Sequence, residues 1–254
     1  MSPVFFEKVL AQLRLHTKEL ALHIMGAPLT LSNLADYLDL THRYGFAVIL
    51  TTSGYYLKKT PFDTLFHQAV RQVNISLNSY NKNQLNLSFN TNIDAILTLC
   101  AEKLARHAEP FINLRLWNFD DAFSERDLSS MIFKRLESFF NIPLDADELY
   151  EQRPKSIRLA PKVLLNLESY FQWPSLKASH NSDGSCYGLK SHIEVLADGT
   201  VMPCCLDGDG VIALGNLHDS PLNDILSSPQ AKAVEELCRR CSYKDRFSFN
   251  RPGT

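Results

Sequence analysis

Apolar residues along the first two thirds of the chain recur at helical spacing in several separate segments. The first segment follows Ser2 and Pro3, a capping hydroxyl and a proline at the first helical position, which predicts a helix that ends near His16. A later segment follows Ser124, which we expect to be its cap. That segment predicts a helix over residues 124–140. The same spacing predicts further helices over residues 34–41, 60–67 and 91–107.

Short apolar runs of strand length lie between these helices. They cover residues 20–25, 46–50, 73–77, 111–117, 157–159 and 163–167. Because helices and strands alternate repeatedly, we expect an α/β fold, with a parallel sheet and helices on its outer face. Near Gln172 the pattern changes to turn-rich sequence that carries cysteines, so we place a domain boundary there. This predicts a barrel-like domain at 1–172 and a small domain at 173–254.

Two short β-rich runs in the second domain flank Asp198 and Gly199. An Asp-Gly pair between such runs is a strong signal for a tight hairpin turn. The predicted hairpin would carry Cys204 back towards Cys186. We therefore expect a small C-terminal domain built from a β-hairpin and a helix, in which the turn brings cysteines together.

Five of the six cysteines lie near the C-terminus, at Cys186, Cys204, Cys205, Cys238 and Cys241. Thiolates are strongly donating ligands of soft metals, and four that converge in a cytosolic protein indicate an iron–sulfur or zinc site. Thiolates alone leave both metals open. The sixth cysteine, Cys100, lies among apolar residues of a predicted helix and is expected to be an inert core thiol.

Charge and hydropathy exclude several classes of partner. The chain has 26 basic and 28 acidic residues, for a net charge of −2, and no basic block that would follow a phosphate backbone. We expect no nucleic-acid partner, although a substrate RNA stays open. No apolar run approaches the length of a membrane span, and the start lacks the layout of a signal peptide. We expect a cytoplasmic protein without a membrane partner, whose cysteines bind metal rather than form disulfides.

The segment from Ile193 to Cys205 resembles the auxiliary-cluster segment of radical SAM proteins with a C-terminal SPASM or twitch domain. Two further stretches, 214–217 and 222–226, and the final Cys-x-x-Cys are similar to the same family. In that family the pattern holds an auxiliary [4Fe–4S] cluster outside the barrel. The resemblance implies four metal ligands, Cys186, Cys204, Cys238 and Cys241.

Cys205 is the alternative to Cys204 as a ligand. Adjacent residues on a strand point to opposite faces, so we expect only one of the two to reach the metal. We favour Cys204, because the family's ligand follows a proline, here Pro203.

Segments of the first domain are similar to the parts of the radical SAM barrel that bind S-adenosylmethionine. The segment at Gly26 resembles the Gly-Glu-Pro turn after the second barrel strand, with Ala27 in place of the glutamate. An alanine side chain accepts no hydrogen bond from the ammonium of the cofactor, so one anchoring contact is missing. A plain strand-to-helix turn is the alternative for this segment. The resemblance implies these cofactor-binding residues: Gly26, Ala27, Pro28, Thr52, Ser53, Gly54, Ser76 and Asn78.

Arg115 lies in the run that corresponds to the fifth barrel strand. There it could contact a carboxylate of a ligand. A rim position or a surface ion pair is the alternative for a lone arginine in a strand.

The family's catalytic loop, Cys-x-x-x-Cys-x-x-Cys after the first barrel strand, has no counterpart, because the first cysteine of the chain is Cys100. We therefore expect a partial (β/α)6 radical SAM barrel that lacks its first strand. Two explanations stay open: the recorded start is an internal methionine of a longer enzyme, or the protein is a real truncated form. The retained turns favour the first explanation, which we place ahead, and Ala27 favours the second.

The resemblance implies an iron–sulfur protein that, in complete form, cleaves S-adenosylmethionine for radical modification of a peptide or small metabolite. The 254-residue chain alone is expected to be inactive. Its expected partners are that substrate and an electron donor such as flavodoxin or ferredoxin. The alternative is a non-enzymatic metal-binding scaffold, with iron–sulfur or zinc and a vestigial barrel.

Overall fold

The structure is a computed structural model that describes residues 1–23, 27–79, 88–170, 188–189, 192–207 and 212–232. The chain forms two compact units, one of Thr17–Tyr170 and one of Met1–His16 together with Phe171–Thr254. The first sixteen residues therefore group with the C-terminal part of the chain, whereas the sequence pattern placed them with the barrel-like domain.

The unit Thr17–Tyr170 is built on one six-stranded sheet in the order β1-β2-β3-β4-β6-β5. Its strands are β1 (Glu19–Leu22), β2 (Ala47–Thr52), β3 (Val70–Ser76), β4 (Phe111–Leu116), β5 (Ser156–Ala160) and β6 (Val163–Leu167). Strands β1, β2, β3, β4 and β6 are parallel to one another, which confirms the predicted α/β fold. The last, β5, is antiparallel to β6, because the two are joined by a short hairpin that cannot hold a crossover.

Helices follow the strands of this unit at nearly all predicted places. They are α2 (Leu34–Arg43), α3 (Phe62–Leu65), α4 (Phe89–Ala105), α5 (Arg126–Phe140) and α6 (Ala146–Gln152). The sequence pattern missed α6, a short helix that Asp145 caps by accepting the Glu148 N–H. Ser124 is not the cap of α5, since Glu125 holds that position and its side chain makes no capping bond. No helix in the described residues has the length and apolar content to cross a membrane.

The two faces of the large sheet differ in polarity. One face carries fully buried apolar residues of the central strands: Val48, Leu50, Val73, Ile75, Ile112, Leu114, Val163 and Leu165. Leu38, Ile96 and Phe133 belong to the same core cluster, so helices α2, α4 and α5 cover this face. Successive side chains of a strand alternate between faces, so the residues between them form a second face, which is polar on β3 and β4.

The other unit contains α1 (Pro3–Leu13) and a small antiparallel sheet. Its further elements are β7 (Glu194–Val195), β8 (Thr200–Met202), β9 (Gly215–Asn216), α7 (Leu222–Leu226) and α8 (Pro229–Lys232). Strands β7 and β8 form the predicted hairpin, and β9 pairs with the other side of β8. The sequence pattern did not predict β9, because two residues are too few to show a periodicity.

Gly199 makes the turn of this hairpin. Its φ of +89° is a left-handed value that other residues adopt only with strain. Its N–H donates to the Leu196 carbonyl at 2.9 Å, and the Leu196 N–H donates to the Thr200 carbonyl at the same distance. The predicted Asp-Gly turn is therefore confirmed, with glycine at the position that needs it.

Candidate functional site

Cys204 and Cys205 lie just beyond the end of β8 at Met202, in a turn rather than on the strand. Both are half-buried free thiols. The expectation that they point to opposite faces does not apply in a turn, so both side chains can lie on one side. A hydrogen bond between the two thiols, followed by burial, raises the pKa of Cys204, and the same bond lowers the pKa of Cys205.

The backbone around Cys204 suits a metal-bound thiolate. The Leu206 N–H donates to the Cys204 sulfur at 3.4 Å, a kind of bond that helps set the potential of iron–sulfur clusters. Asp207 N–H donates to the Cys204 carbonyl at 3.1 Å, which closes the turn. The other predicted ligands, Cys186, Cys238 and Cys241, lie outside the described residues. The four-cysteine ligand set therefore stays a prediction.

A buried carboxyl group lies on the same small sheet. Glu194 of β7 pairs with Met202 of β8, on the strand that leads to Cys204. It is 2% exposed, and neither carboxyl oxygen has a hydrogen-bond partner among the described residues. Burial, and then the nearby charge of Asp207, raise the pKa of Glu194 to about 7.

Glu194, Asp207 and the two thiols lie near one another at the small sheet. The thiol–thiol bond lowers the pKa of Cys205 and the charge of Glu194 opposes that lowering, so Glu194 and Cys205 are close in space. A buried carboxyl group without a partner is costly unless a proton or a cation neutralises it. No group of three potential ligands that could hold a metal ion occurs within the described ranges. A centre here would therefore need ligands from outside them, which is where the remaining predicted cysteines lie.

The predicted cofactor-binding segments lie at the carboxyl edge of the large sheet. Gly26 lies outside the described residues. The Ala27 carbonyl accepts the Thr30 N–H at 2.9 Å and the Thr30 hydroxyl at 2.7 Å, which makes a short 3-10 turn from Pro28 to Thr30. In the chain this turn lies between β1 and α2.

The second segment, at the end of β2, is held in a defined shape. The buried Thr52 hydroxyl accepts the Gly54 N–H at 3.1 Å, across Ser53. Gly54 has a φ of +86°, and a Cβ there would lie 3.1 Å from the Asn92 side-chain oxygen. Only glycine suits both the backbone angle and the close approach of Asn92.

The third segment joins the ends of two strands. Ser76 is the last residue of β3 and is half-buried. Asn78 is 7% exposed, and its side-chain N–H donates to the Trp117 carbonyl, beyond β4, at 3.0 Å. Because β1 to β4 are parallel, Ala27, Gly54 and Asn78 all follow strands at the same edge of the sheet, where α/β proteins bind ligands.

A polar network on the second face of the sheet was missed by the sequence analysis. The Asn74 side chain donates to the Thr51 hydroxyl at 3.2 Å and accepts N–H groups from Gln72 at 2.8 Å and Asn113 at 3.3 Å. The side-chain oxygen of Asn113 has no partner among the described residues. Alternating amide residues on β3 were the available signal, since parallel strands buried on both faces are usually apolar throughout.

Arg115 lies on this same face, near the carboxyl edge. Its guanidinium carbon lies 4.3 Å from the centre of the Trp117 ring. Burial, and then the charge of Arg115, lower the pKa of His23, which follows β1. The edge therefore carries a fixed positive charge near an imidazole whose pKa is lowered.

Comparison with protein families decides the nature of the C-terminal unit. Residues 186–242 match the SPASM family, described as an iron–sulfur cluster-binding domain. Over these residues the chain is similar to the SPASM family. The match begins at Cys186 and includes Cys204, Cys238 and Cys241, so all four predicted ligands lie within the matched residues.

Comparison with solved structures concerns the fold. The chain is similar to the protein in "Crystal structure of BtrN in complex with AdoMet and 2-DOIA", with a TM-score of 0.56 and 17% sequence identity. The match covers 95% of this chain and 75% of BtrN. No curated protein sequence matches the chain. At this identity the likeness shows the fold, and the family match adds that residues 186–242 resemble an iron–sulfur cluster-binding domain.

Proposed function

We propose that the chain belongs to a radical SAM enzyme whose SPASM domain holds an auxiliary [4Fe–4S] cluster. The observation that carries the proposal is the SPASM match, which spans four cysteines at the predicted ligand positions. The Leu206 N–H bonded to Cys204 and the unpartnered carboxyl of Glu194 are additional support. Iron is favoured over zinc because the long loop between Cys204 and Cys238 is unlike the short knuckles of a zinc ribbon.

The chain is further proposed to bind S-adenosylmethionine at the carboxyl edge of the large sheet. BtrN was crystallised with AdoMet, and its fold is shared by this chain. The Pro28–Thr30 turn, the Gly54 turn and Asn78 converge on that edge. In a complete enzyme, a separate catalytic cluster and bound S-adenosylmethionine would supply the radical that removes a hydrogen atom from a substrate. Ala27 offers no carboxylate to the cofactor, so backbone groups of its turn would carry that contact.

The substrate is proposed to be a peptide or a small metabolite bound over the polar face of the sheet. Side chains there are neutral amides and hydroxyls, with Arg115 as the positive group at the edge. Such a surface orients a polar substrate by hydrogen bonds, and Arg115 would bind an anionic group on it. An electron donor such as flavodoxin or ferredoxin and a cytoplasmic location complete the proposal.

The proposal is tested on the DNA that precedes Met1. In-frame translation should give a strand followed by Cys-x-x-x-Cys-x-x-Cys within a few dozen residues. The extended protein, reduced and loaded with iron, should then form 5′-deoxyadenosine from S-adenosylmethionine. A variant of the extended protein with serines at those three cysteines is the matched control and should form none. An in-frame stop codon upstream of Met1 would instead favour the metal-binding scaffold.

A further inference from the structure

Helix α1 lies outside the SPASM match in the sequence but belongs to the same compact unit. Three of its residues, Val9, Leu10 and Leu13, are buried, so the helix is a packed part of that unit. Two further residues of α1, Phe5 and Gln12, contact the small sheet and α7 directly.

Phe5 packs against the turn of the β7–β8 hairpin. Its ring stacks on the His218 imidazole, with ring centres 3.8 Å apart and planes 9° from parallel. A Cβ at position 199 would lie 2.9 Å from the Phe5 ring and 2.8 Å from the Asn216 side-chain oxygen. Gly199 is therefore held between Phe5 on one side and Asn216 of β9 on the other. Asn216 also donates to the Asp198 carbonyl at 3.1 Å, which fixes the same turn.

Gln12 completes the start of α7. Its side-chain oxygen accepts the Leu222 N–H at 2.7 Å. Leu222 is the first residue of α7, and Pro221 before it provides no side-chain cap. The first N–H groups of a helix have no partner within the helix, so Gln12 supplies one from α1. Helix α7 in turn packs on β9, since Ile225 lies 3.0 Å from the Cβ position of Gly215.

We propose that α1 positions the metal-binding turn of the SPASM domain, and that Phe5 and Gln12 are the positioning residues. From Gly199 the chain reaches Cys204 through β8 and Pro203 alone. Strand β8 has only three residues, so holding the Gly199 turn before it also sets the position of Cys204 just after it. The metal-binding unit is thus assembled from both ends of the sequence. This inference rests on the proposed iron–sulfur function.

The test compares variants of the full chain after anaerobic reconstitution with ferrous iron and sulfide. Phe5→Ala and Gln12→Met should each lower the apparent affinity for iron, roughly ten-fold by analogy with other residues that support metal ligands. The electron paramagnetic resonance signal of the reduced cluster should broaden, because Cys204 is no longer held in one orientation. Gln12→Met keeps the length of the side chain and removes the amide whose oxygen accepts the Leu222 N–H, so it decides the matter if Phe5→Ala fails to fold.

Matched variants separate positioning from a general loss of helix packing. Val4→Ala changes a residue of the same helix turn that is 70% exposed, and it should retain wild-type iron and spectrum. Gln12→Glu keeps an acceptor oxygen for the Leu222 N–H and should also retain both. Wild-type iron and spectrum in Phe5→Ala or in Gln12→Met would overturn the role of α1. A wild-type chain that takes up no iron would overturn the proposed function and this inference with it.

Discussion

The Leu206 N–H lies 3.4 Å from the Cys204 sulfur and donates a hydrogen bond to it. In the metal-free chain the bond to Cys205 and burial outweigh this N–H and raise the pKa of Cys204, but a bound metal would displace the thiol proton and leave the N–H donating to a thiolate. Cys204→Ala should therefore reduce iron retention after anaerobic reconstitution, whereas Cys205→Ala should leave most of it. The measurement is iron per chain after gel filtration. Loss of iron in Cys205→Ala with retention in Cys204→Ala would assign the ligand to Cys205.

Cys100 should be inert in the native protein. It is fully buried, and burial raises the pKa of its thiol to about 12, against a smaller opposing effect of Lys103. The thiolate is the reactive form of cysteine. Because the Cys100 thiol is neutral and buried at pH 8, it should not react. Iodoacetamide should leave Cys100 unmodified in native protein and modify it in urea, as read by peptide mass spectrometry. Cys100→Ala should retain wild-type iron. Rapid native alkylation at Cys100 would contradict this placement.

Glu194 should make the stability of the metal-free protein depend on pH. Burial raises its pKa from 4.5 to about 7 in the folded chain, so the folded state holds the proton more tightly than the unfolded state. Its contribution to stability is therefore present below about pH 4.5 and is lost as the pH rises to about 7, by ~3 kcal/mol. Urea unfolding of Glu194→Gln should lack this loss, so that the variant is more stable than wild type at pH 8.

The control for this measurement is Glu137→Gln, which changes an exposed carboxyl group on α5. It should keep the wild-type dependence on pH. An equal dependence in Glu194→Gln and wild type would show that Glu194 is not the group responsible.

Most of the fold could be predicted from the sequence because its signals are local. Helical spacing marked α1, α2, α4 and α5, and the Asp-Gly pair marked the β7–β8 hairpin. The contacts of Phe5 with His218 and of Gln12 with Leu222 join the two ends of the chain, and no local pattern predicts such pairs.

The candidate site was predictable in part for the same reason. Cysteine spacing and a resemblance indicated Cys204, and the family match covers it. The bond between Asn74 and Asn113 depends on the register of β3 against β4, which the residues of either strand alone do not determine. The burial of Glu194 depends on the pairing of β7 with β8 and on the packing of that small sheet, so it too needed the structure.

The 254-residue chain should not cleave S-adenosylmethionine. It has no cysteine before Cys100, and four cysteines at the SPASM site would leave no open iron for the cofactor. Reduced, iron-loaded chain should therefore form no 5′-deoxyadenosine above a control without protein, as measured by liquid chromatography and mass spectrometry. Reductant-dependent 5′-deoxyadenosine that disappears in Cys238→Ala would show that the SPASM site is itself catalytic.

The most direct test of the account is the metal content of anaerobically reconstituted protein. We expect brown protein with broad visible absorbance and about four irons and four sulfides per chain. Cys186→Ala, Cys238→Ala and Cys241→Ala should each lower the iron retained, and Cys100→Ala should not. Stoichiometric zinc with no uptake of iron under the same conditions would contradict the account.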